Sequence, residues 1–271
     1  MTQTVAQIAN ILAAAYPPEE AQELAFWLLE ELTGKSRADI SACKDTQNIS
    51  NIEIFLTRLL KKEPIQYIFG HTSWYGLDLL VTKDTLIPRP ETAELVDLVL
   101  QTLPNDSAKT FSVLDIGTGS GCIALKIKEK RHHWQVTGLD ISLAALDVAR
   151  KNAIRNNIDV HFIQVDILTN PDLKYDCIIS NPPYITESEK TTMEANVLDY
   201  EPPTALFVPD NDPLCFYRAI TNLHANWLFF EVNSLFAADV AQLMTENGYS
   251  KVTIHNDMYG KQRMVSGRIT A

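Results

Sequence analysis

The fold of this chain is decided by one short stretch, which runs Phe111-Ser112-Val113-Leu114-Asp115-Ile116, then Gly117-Thr118-Gly119-Ser120-Gly121, then Cys122-Ile123-Ala124-Leu125. Its first six residues are an apolar run that predicts a buried strand, and its last four begin a helical pattern. Glycines between a strand and a helix permit a tight turn and let a ligand touch the backbone. The stretch therefore predicts a strand, a ligand-binding loop and a helix.

The glycine spacing indicates which cofactor the loop binds. A dinucleotide loop usually places its third glycine three positions after the second, whereas here glycines alternate with other residues from Gly117 to Gly121. This spacing favours S-adenosylmethionine over NAD. The loop residues predicted to bind the cofactor are Gly117, Thr118, Gly119, Ser120 and Gly121.

Two acidic residues follow the next two predicted strands. Asp140 ends the run Gln135–Leu139, and Asp166 ends the run Val160–Val165. An acid at the second strand end accepts hydrogen bonds from ribose hydroxyls, and Asp166 with Ile167 is placed to meet an adenine ring. Either acid alone is more often a surface residue or a helix cap. A glycine loop and two acids at successive strand ends together favour a cofactor site.

A fourth strand, Tyr175–Ser180, runs directly into Asn181-Pro182-Pro183-Tyr184. The two prolines donate no N–H, so strand pairing must stop there. An Asn amide and a Tyr ring at that point form a cradle for a planar NH2 group. The plain alternative is a strand followed by a proline-rich turn. Since Asn181 would end its strand across the switch point of the sheet, we expect the cofactor and this cradle to meet.

Composition limits the classes of partner. At about 150 residues per domain, the 271 residues make just under two domains, and 23 Lys+Arg against 34 Asp+Glu give a net charge of −11. Such a charge opposes direct contact with nucleic acid phosphates, and Lys126–Arg131, the one dense basic run, is expected to be a solvated helix end. Neither cysteine nor histidine spacing indicates a metal site. The four cysteines, Cys43, Cys122, Cys177 and Cys215, are scattered.

Location and association are predicted from the same composition. Scattered cysteines favour a reducing compartment. The N-terminal residues show neither a basic region nor a long apolar run, so we expect no signal peptide, no membrane association and a cytoplasmic location. We expect a monomer.

Three regions differ in their pattern. Up to about residue 70 the pattern is helical, with apolar faces at Ile8, Ile11, Leu12 and Ala15 and at Leu24, Trp27, Leu28 and Leu32, and a further helix from Asn51 to Leu60. Residues 71–87 predict a β-hairpin. Thr92 is predicted to cap a helix that starts at Ala93. From about residue 111, strands and helices alternate, which is typical of a parallel α/β sheet.

Several segments together give a specific resemblance. They are Pro64–Gly70, Leu86–Thr92, Leu114–Gly121, Asp140–Ser142, Ser180–Ile185, Glu201-Pro202 and Asp257–Arg263. Over most of its length the chain resembles the peptide chain release factor glutamine N5-methyltransferases. The Asn-Pro-Pro-Tyr motif is shared with adenine-N6 DNA methyltransferases, whereas Pro64–Gly70 with Leu86–Thr92 is far more particular to this family.

The resemblance implies a fold and an activity. The expected fold is α/β: a small helical N-terminal domain (1–70), a β-hairpin linker (71–90) and a Rossmann-like, seven-stranded class I methyltransferase domain (91–271) whose last strand is antiparallel. We expect the helical domain to recognise the substrate, and the alternative is a purely structural cap. The expected reaction transfers a methyl group from S-adenosylmethionine to the glutamine amide of a Gly-Gly-Gln motif in bacterial release factors. The implied catalytic residues are Asn181, Pro182 and Tyr184, with Pro183 in the substrate cradle and Asn181 also near the cofactor.

Some positions depart from the family pattern, and other functions stay open. Val208–Leu214 replaces a glycine-rich loop, and Asn233 stands where a glycine is usual and tolerates a positive φ. Arg89 and Glu91 are expected near the cofactor or in a structural ion pair. The alternatives are an adenine-N6 or other nucleic acid amine methyltransferase, which the acidic charge disfavours, and a non-catalytic binding scaffold.

Overall fold

The computed structural model describes residues 2–42, 47–48, 51–106 and 109–269. The chain forms two compact units. One comprises Met1–Gly70 together with Glu194–Tyr200, and the other comprises His71–Met193 together with Glu201–Ala271. The prediction for Cys43 lies outside the described residues.

The first unit is mainly helical. Its elements are β1 (Thr2–Gln3), α1 (Val5–Leu12), α2 (Pro18–Thr33), α3 (Arg37–Ala42), β2 (Gln47–Asn48), α4 (Ile52–Leu60) and α5 (Ile65–Phe69). The two short strands pair antiparallel and were not predicted from the sequence. The segment Glu194–Tyr200 adds a helical turn, and the Tyr200 hydroxyl donates to the carbonyl of Lys61 at 3.0 Å.

Local chemistry sets the bounds of these helices. The Thr4 side chain and Gln7 form a capping box at the start of α1, and Gly34 ends α2 in the left-handed conformation with φ +67°. Ile8 and Leu12 are fully buried, as predicted, but Ile11 is exposed. Ile8 and Leu12 are therefore the residues of this predicted face that belong to the core of the unit.

The second unit alternates strands and helices. Its elements begin with β3 (His71–Trp74), β4 (Leu77–Leu80), α6 (Pro90–Thr102), β5 (Ser112–Ile116), α7 (Cys122–Lys130), β6 (Gln135–Asp140), α8 (Leu143–Arg155), β7 (His161–Gln164) and β8 (Cys177–Ser180). They continue with β9 (Ile185–Thr186), α10 (Pro203–Leu206), β10 (Phe207–Val208), α11 (Cys215–Thr221), β11 (Trp227–Glu231), α12 (Ala237–Glu246), β12 (Ser250–Asn256) and β13 (Gln262–Arg268). Helix α9 (Ala195–Tyr200) lies between β9 and α10 in the sequence and belongs to the first unit. Two 3₁₀ turns lie at Ile167–Thr169 and Glu187–Thr192.

A seven-stranded sheet organises this unit. Its order is β12-β13-β11-β8-β5-β6-β7. Strands β6, β7, β8 and β11 run parallel to β5 or to its neighbours, and β13 is antiparallel to both β11 and β12. The predicted fold class is confirmed. Strand β5 has β6 on one side and β8 on the other, so the switch point lies at the carboxyl ends of β5 and β8.

The predicted hairpin forms from β3 and β4. Tyr75 and Gly76 make its turn with φ of 48° and 79°, as a two-residue turn with both φ values positive requires. Lys126 lies beside it, with its ammonium 4.8 Å from the centre of the Tyr75 ring and 2.6 Å from Glu129. The prediction that Lys126 is solvated was wrong: α7 packs on the hairpin and leaves this side chain 3% exposed.

No described helix combines the length and the apolar character needed to cross a membrane. Within the same residues, no group of three or more His, Cys, Asp and Glu side chains could hold a metal ion.

Candidate active site

A cavity of about 350 Å³ opens in the second unit at the carboxyl ends of its strands. Much of its lining comes from the turns after four strands, β5 to β8. The lining includes Gly117, Thr118, Gly119, Ser120, Asp140, Asp166, Ile167, Asn181, Pro182 and Pro183, together with Arg89, Thr92 and Phe207. Most of the residues predicted for the cofactor and the substrate are therefore neighbours around one cavity.

The glycine loop is held against the second strand. The N–H groups of Gly117 and Thr118 both donate to the carbonyl of Leu139, at 2.8 and 2.9 Å. Gly117 and Gly119 adopt φ of 73° and 54°, which a residue with a side chain rarely does. Gly121 has a positive φ as well, of 84°, and it also allows close packing, because a Cβ there would meet the Ala149 methyl at 3.2 Å.

Asp115, the residue two before the loop, has a role that the sequence did not indicate. Its Oδ2 accepts from the Thr118 hydroxyl at 2.6 Å and from the N–H of Ala124 at 3.1 Å. Its Oδ1 is buried and has no hydrogen-bond partner among the described residues. Burial raises the pKa of Asp115 to about 7. The carboxyl thus joins the loop to the first turn of α7.

Asp140 uses both carboxylate oxygens to hold the backbone around the cavity. Oδ2 accepts from the N–H of Gly119 at 2.9 Å, and Oδ1 accepts from the N–H of Ser142 at 2.9 Å. Burial raises the pKa of Asp140, while these N–H donors act to lower it. Each carboxylate oxygen can accept more than one hydrogen bond, so Asp140 can hold the loop and still accept from a ligand.

Asp166 and Ile167 lie across the cavity, after β7. The Asp166 carboxylate accepts from the N–H of Leu168 at 2.9 Å and starts the 3₁₀ turn. Ile167 is 5% exposed and packs in the core of the unit. The neighbouring apolar side chains Ile141 and Leu168 also line the cavity, yet they are 56% and 45% exposed. The sequence did not single them out.

These residues fit S-adenosylmethionine. A carboxylate at the second strand end suits vicinal ribose hydroxyls, and exposed aliphatic side chains beside it suit a flat adenine ring. The glycine loop lets the backbone approach a ligand closely. Asp140, Ile141, Leu168 and the loop all line the same cavity.

The Asn-Pro-Pro-Tyr turn meets the glycine loop directly. A Cβ at Gly117 would lie 3.9 Å from the backbone carbonyl of Asn181. Asn181, Pro182 and Pro183 line the cavity. Tyr184 is not among the lining residues: its ring packs against the apolar core, and its hydroxyl donates to Glu231 Oε1 at 3.2 Å. The structure thus brings the first three residues of the motif to the cavity and turns the fourth inward.

Two further residues, Thr92 and Glu231, contact this turn. Asn181 Nδ2 donates to Thr92 Oγ1 at 3.2 Å, and the Thr92 hydroxyl donates to Glu231 Oε2 at 2.8 Å. The two residues are 3% and 2% exposed. Burial raises the pKa of Glu231 and also that of Tyr184. The predicted capping role of Thr92 was wrong, because α6 already begins at Pro90 and Thr92 lies inside its first turn.

Arg89 forms a structural ion pair, with Glu201 as its partner. Glu201 is 3% exposed, and its Oε2 finds no hydrogen-bond partner within the part of the chain that the structure describes. Arg89 also lines the cavity. The ion pair therefore fixes the start of α6 at the cavity edge.

Two of the positions that depart from the family pattern, Val208 and Asn233, are held by contacts near the Asn-Pro-Pro-Tyr turn. Val208 pairs with Thr186 in the short parallel ladder β9–β10. Asn233 keeps an ordinary negative φ, since it is absent from the residues with positive φ. Its amide donates to Glu189 at 3.2 Å and to the carbonyl of Tyr184 at 3.4 Å. The turn survives without a left-handed residue at this position.

The chain is similar to known protein families and to individual relatives. Residues 3–70 match the PrmC N-terminal domain family, and residues 94–201 match the methyltransferase small domain family. A release factor glutamine methyltransferase of Bacteroides thetaiotaomicron is 41% identical over 98% of this chain and 99% of its own length. One of Flavobacterium psychrophilum is 38% identical over 96% and 95%.

Solved structures share the fold. A methyltransferase from Pyrococcus furiosus matches with a TM-score of 0.52 and 18% identity, over 81% of this chain and all of its own. A human methyltransferase 10 domain containing protein matches with a TM-score of 0.54 and 20% identity, over 72% and 90%. At this identity the likeness concerns the architecture of the methyltransferase sheet.

Proposed function

Because the chain belongs to the release factor glutamine methyltransferase family, we propose that it transfers a methyl group to the side-chain amide nitrogen of a release factor glutamine. The chain is an enzyme of the S-adenosylmethionine-dependent class. One observation carries the proposal for the site. The turn that holds Asn181 lies 3.9 Å from the position of a Cβ on Gly117, in the cofactor loop.

The substrate amide would be held by Asn181 and Pro182. Asn181 Nδ2 is engaged by Thr92, so its Oδ1 is the atom that accepts one hydrogen of the glutamine NH2. The backbone carbonyl of Pro182 accepts the other. The prolines restrict the backbone of the turn, so little freedom is lost when the amide binds.

Positioning is the main catalytic contribution of these residues. An amide nitrogen is a poor nucleophile because its lone pair is delocalised into the carbonyl. S-adenosylmethionine supplies an already activated methyl group when it is bound. Two acceptors on the NH2 fix the nitrogen in line with that methyl group and stabilise the positive charge that grows on nitrogen. The amide becomes neutral again when the nitrogen releases one of its two protons to solvent.

Other residues are assigned to the cofactor and the fold. We assign the ribose to Asp140, the adenine to Asp166 and Ile167, and the remaining contacts to the loop Gly117–Gly121. The sequence predicts that the Tyr184 ring packs against the amide plane, but an anchor on the inner side of the turn is better supported, because its hydroxyl donates to the buried carboxylate of Glu231.

The substrate segment and the roles of the domains are also part of the proposed function. We propose the Gly-Gly-Gln motif as the substrate segment, residues 1–70 as its recognition domain, 71–90 as a linker and 91–271 as the methyltransferase domain. We also propose a cytoplasmic monomer without direct nucleic acid contact. The net charge of −11 supports the last point, because it opposes phosphate binding.

Transfer of labelled methyl from S-adenosylmethionine tests the proposal. We expect label on a bacterial release factor and none on a matched release factor whose Gly-Gly-Gln glutamine is replaced by alanine. Duplex DNA in a parallel reaction is the comparison. Efficient labelling of DNA with none on release factor would overturn the proposal in favour of a nucleic acid amine methyltransferase.

A further inference from the structure

The amide of Asn181 is part of a chain of hydrogen bonds that ends on a buried carboxylate. The chain runs from Asn181 Nδ2 to Thr92 Oγ1 over 3.2 Å, and from Thr92 Oγ1 to Glu231 Oε2 over 2.8 Å. Thr92 lies in α6 and Glu231 at the end of β11. Three separate elements therefore meet at the side chain that faces the cavity.

The direction of these hydrogen bonds is set by the carboxylate of Glu231, at which the series ends. An ionised carboxylate can only accept, so the Thr92 hydroxyl must donate its single proton to Glu231. The Thr92 oxygen is then left with acceptor capacity alone. Asn181 must present its NH2 to it, and its Oδ1 is thereby left for another donor. An Asn amide rotated by 180° would offer a donor to the substrate NH2 and repel it.

Glu231 also holds the far end of the Asn-Pro-Pro-Tyr turn. Its Oε1 accepts from the Tyr184 hydroxyl at 3.2 Å, and its backbone carbonyl accepts from the Tyr217 hydroxyl at 3.1 Å. One carboxylate thus binds both the first and the last residue of the turn, one through Thr92 and one directly. It is 2% exposed, so water competes little for these bonds.

We propose that Thr92 and Glu231 are positioning residues that fix which end of the Asn181 amide faces the substrate, and that this fixed polarity makes the cradle an acceptor of NH2 groups. The inference rests on the proposed function, since it deepens the account of the same site. Neither residue touches the substrate in this scheme, and both act through Asn181.

The polarity predicts a specific ranking of variants. Thr92→Val keeps the shape of the side chain and removes the link, so turnover should fall about tenfold to a hundredfold. Thr92→Ser keeps the hydroxyl and should retain turnover within about fivefold of wild type. Glu231→Gln puts an NH2 where the carboxylate was, allows the bond direction to reverse, and should also lower turnover at least about tenfold.

The decisive measurement combines Thr92→Val with Asn181→Ala. Since Thr92 acts through Asn181, the second substitution should add nothing: kcat of the double variant should equal that of Asn181→Ala within about twofold. Calorimetric cofactor affinity should stay within about threefold of wild type in Thr92→Val. Thr221→Val, which removes a hydroxyl equally buried in α11, is the matched control and should keep wild-type kcat.

The outcomes separate the two proposals. If wild type labels no release factor, the proposed function fails. If wild type is active and Thr92→Val turns over at the wild-type rate, or lowers kcat as much in the Asn181→Ala background as in wild type, the positioning role is overturned. Should Thr92→Val fail to fold, Glu231→Gln in both backgrounds provides the same comparison.

Discussion

The hydroxyl of Thr92 donates to the carboxylate of Glu231 at 2.8 Å, although 139 residues separate the two in the sequence. Both side chains are buried, and no sequence motif indicates a catalytic role for either residue. Their bond places the first turn of α6 against the carboxyl end of β11. Thr92 belongs to Leu86–Thr92, which together with Pro64–Gly70 is more particular to the family than the Asn-Pro-Pro-Tyr motif.

Turnover should depend on the charge of Glu231. Its pKa is raised above the ordinary 4.5 by burial, against the opposing effects of the Thr92 and Tyr184 hydroxyls and of Arg263, while Glu91 raises it further. A protonated Glu231 would donate to Thr92 and release the polarity of Asn181. As the pH falls through the raised pKa, kcat at saturating cofactor should therefore decline, at a pH above 4.5.

The control for this pH dependence is Glu231→Gln, whose kcat should show no decline in the same range. The pH dependence of folding stability runs in the opposite direction to that of kcat. Because the folded state favours the protonated carboxyl, its contribution is fully present below the unfolded pKa and is lost as the pH rises through the raised pKa. Wild type should thus lose stability relative to Glu231→Gln on going to higher pH, and an equal pH profile of both would contradict the assignment.

Asp140→Ala should weaken cofactor binding. The substitution removes the acceptor assigned to the ribose and frees the N–H of Gly119 in the loop. Hydrogen bonds to charged groups contribute about 1.5–3 kcal/mol, so the dissociation constant by calorimetry should rise about tenfold to a hundredfold. Asp147→Ala, on the exposed face of α8, should leave it unchanged. An unaltered constant in folded Asp140→Ala would remove Asp140 from the site.

Asn181→Ala should lower kcat by about 10²-fold or more, by comparison with the loss of one preorganised polar group in other active sites. The melting temperature should change little, since the side chain is only half-buried. Asn222→Ala, an exposed Asn at the end of α11, is the matched substitution and should keep full activity. Near wild-type turnover by Asn181→Ala would refute the amide cradle.

Arg89→Ala should destabilise the second unit. It leaves the carboxylate of Glu201 buried and without its cation. Breaking such a pair typically costs about 3–5 kcal/mol, and since Arg89 itself is 35% exposed, we expect about 2 kcal/mol or more from urea unfolding. Arg155→Ala removes a comparable pair with Asp78 whose partners are 40% and 55% exposed. That control should cost less than about 1 kcal/mol.

Gly138→Ala, in β6, should displace the cofactor loop through the contact with Thr118. A Cβ there would lie 2.6 Å from the Phe162 ring and 2.8 Å from the Thr118 hydroxyl. Overpacking of this kind costs about 1–3 kcal/mol, so both the melting temperature and the cofactor affinity should fall. Adding Phe162→Leu should recover part of the loss, as relief of a shared clash requires. Strictly additive effects would show that the ring is not the obstacle.

The predictions for the cofactor site rest on local sequence patterns. The alternating glycines, Asp140 and the paired prolines each indicate a local structure at their own position, and the apolar runs before them predict the strands. Thr92 was misread for a local reason: a threonine before an apolar run resembles a helix cap, but Pro90 starts the helix two residues earlier. Glu231 was missed because its partners Thr92 and Tyr184 are distant in the sequence. The burial of Lys126 was missed because the hairpin turn beside it, at Tyr75, is also distant.

The antiparallel strand β13 lies inside the sheet, between β11 and β12. Strand β12 is synthesised first but borders β13 alone, so it has no sheet edge to join until Gln262–Arg268 has been made. During translation, therefore, the chain through β11 can collapse around its parallel strands while β12 remains unpaired. The ribosome must deliver the β13 residues before this half of the sheet closes, and until then the outer edge of β11 is open to pairing with other strands.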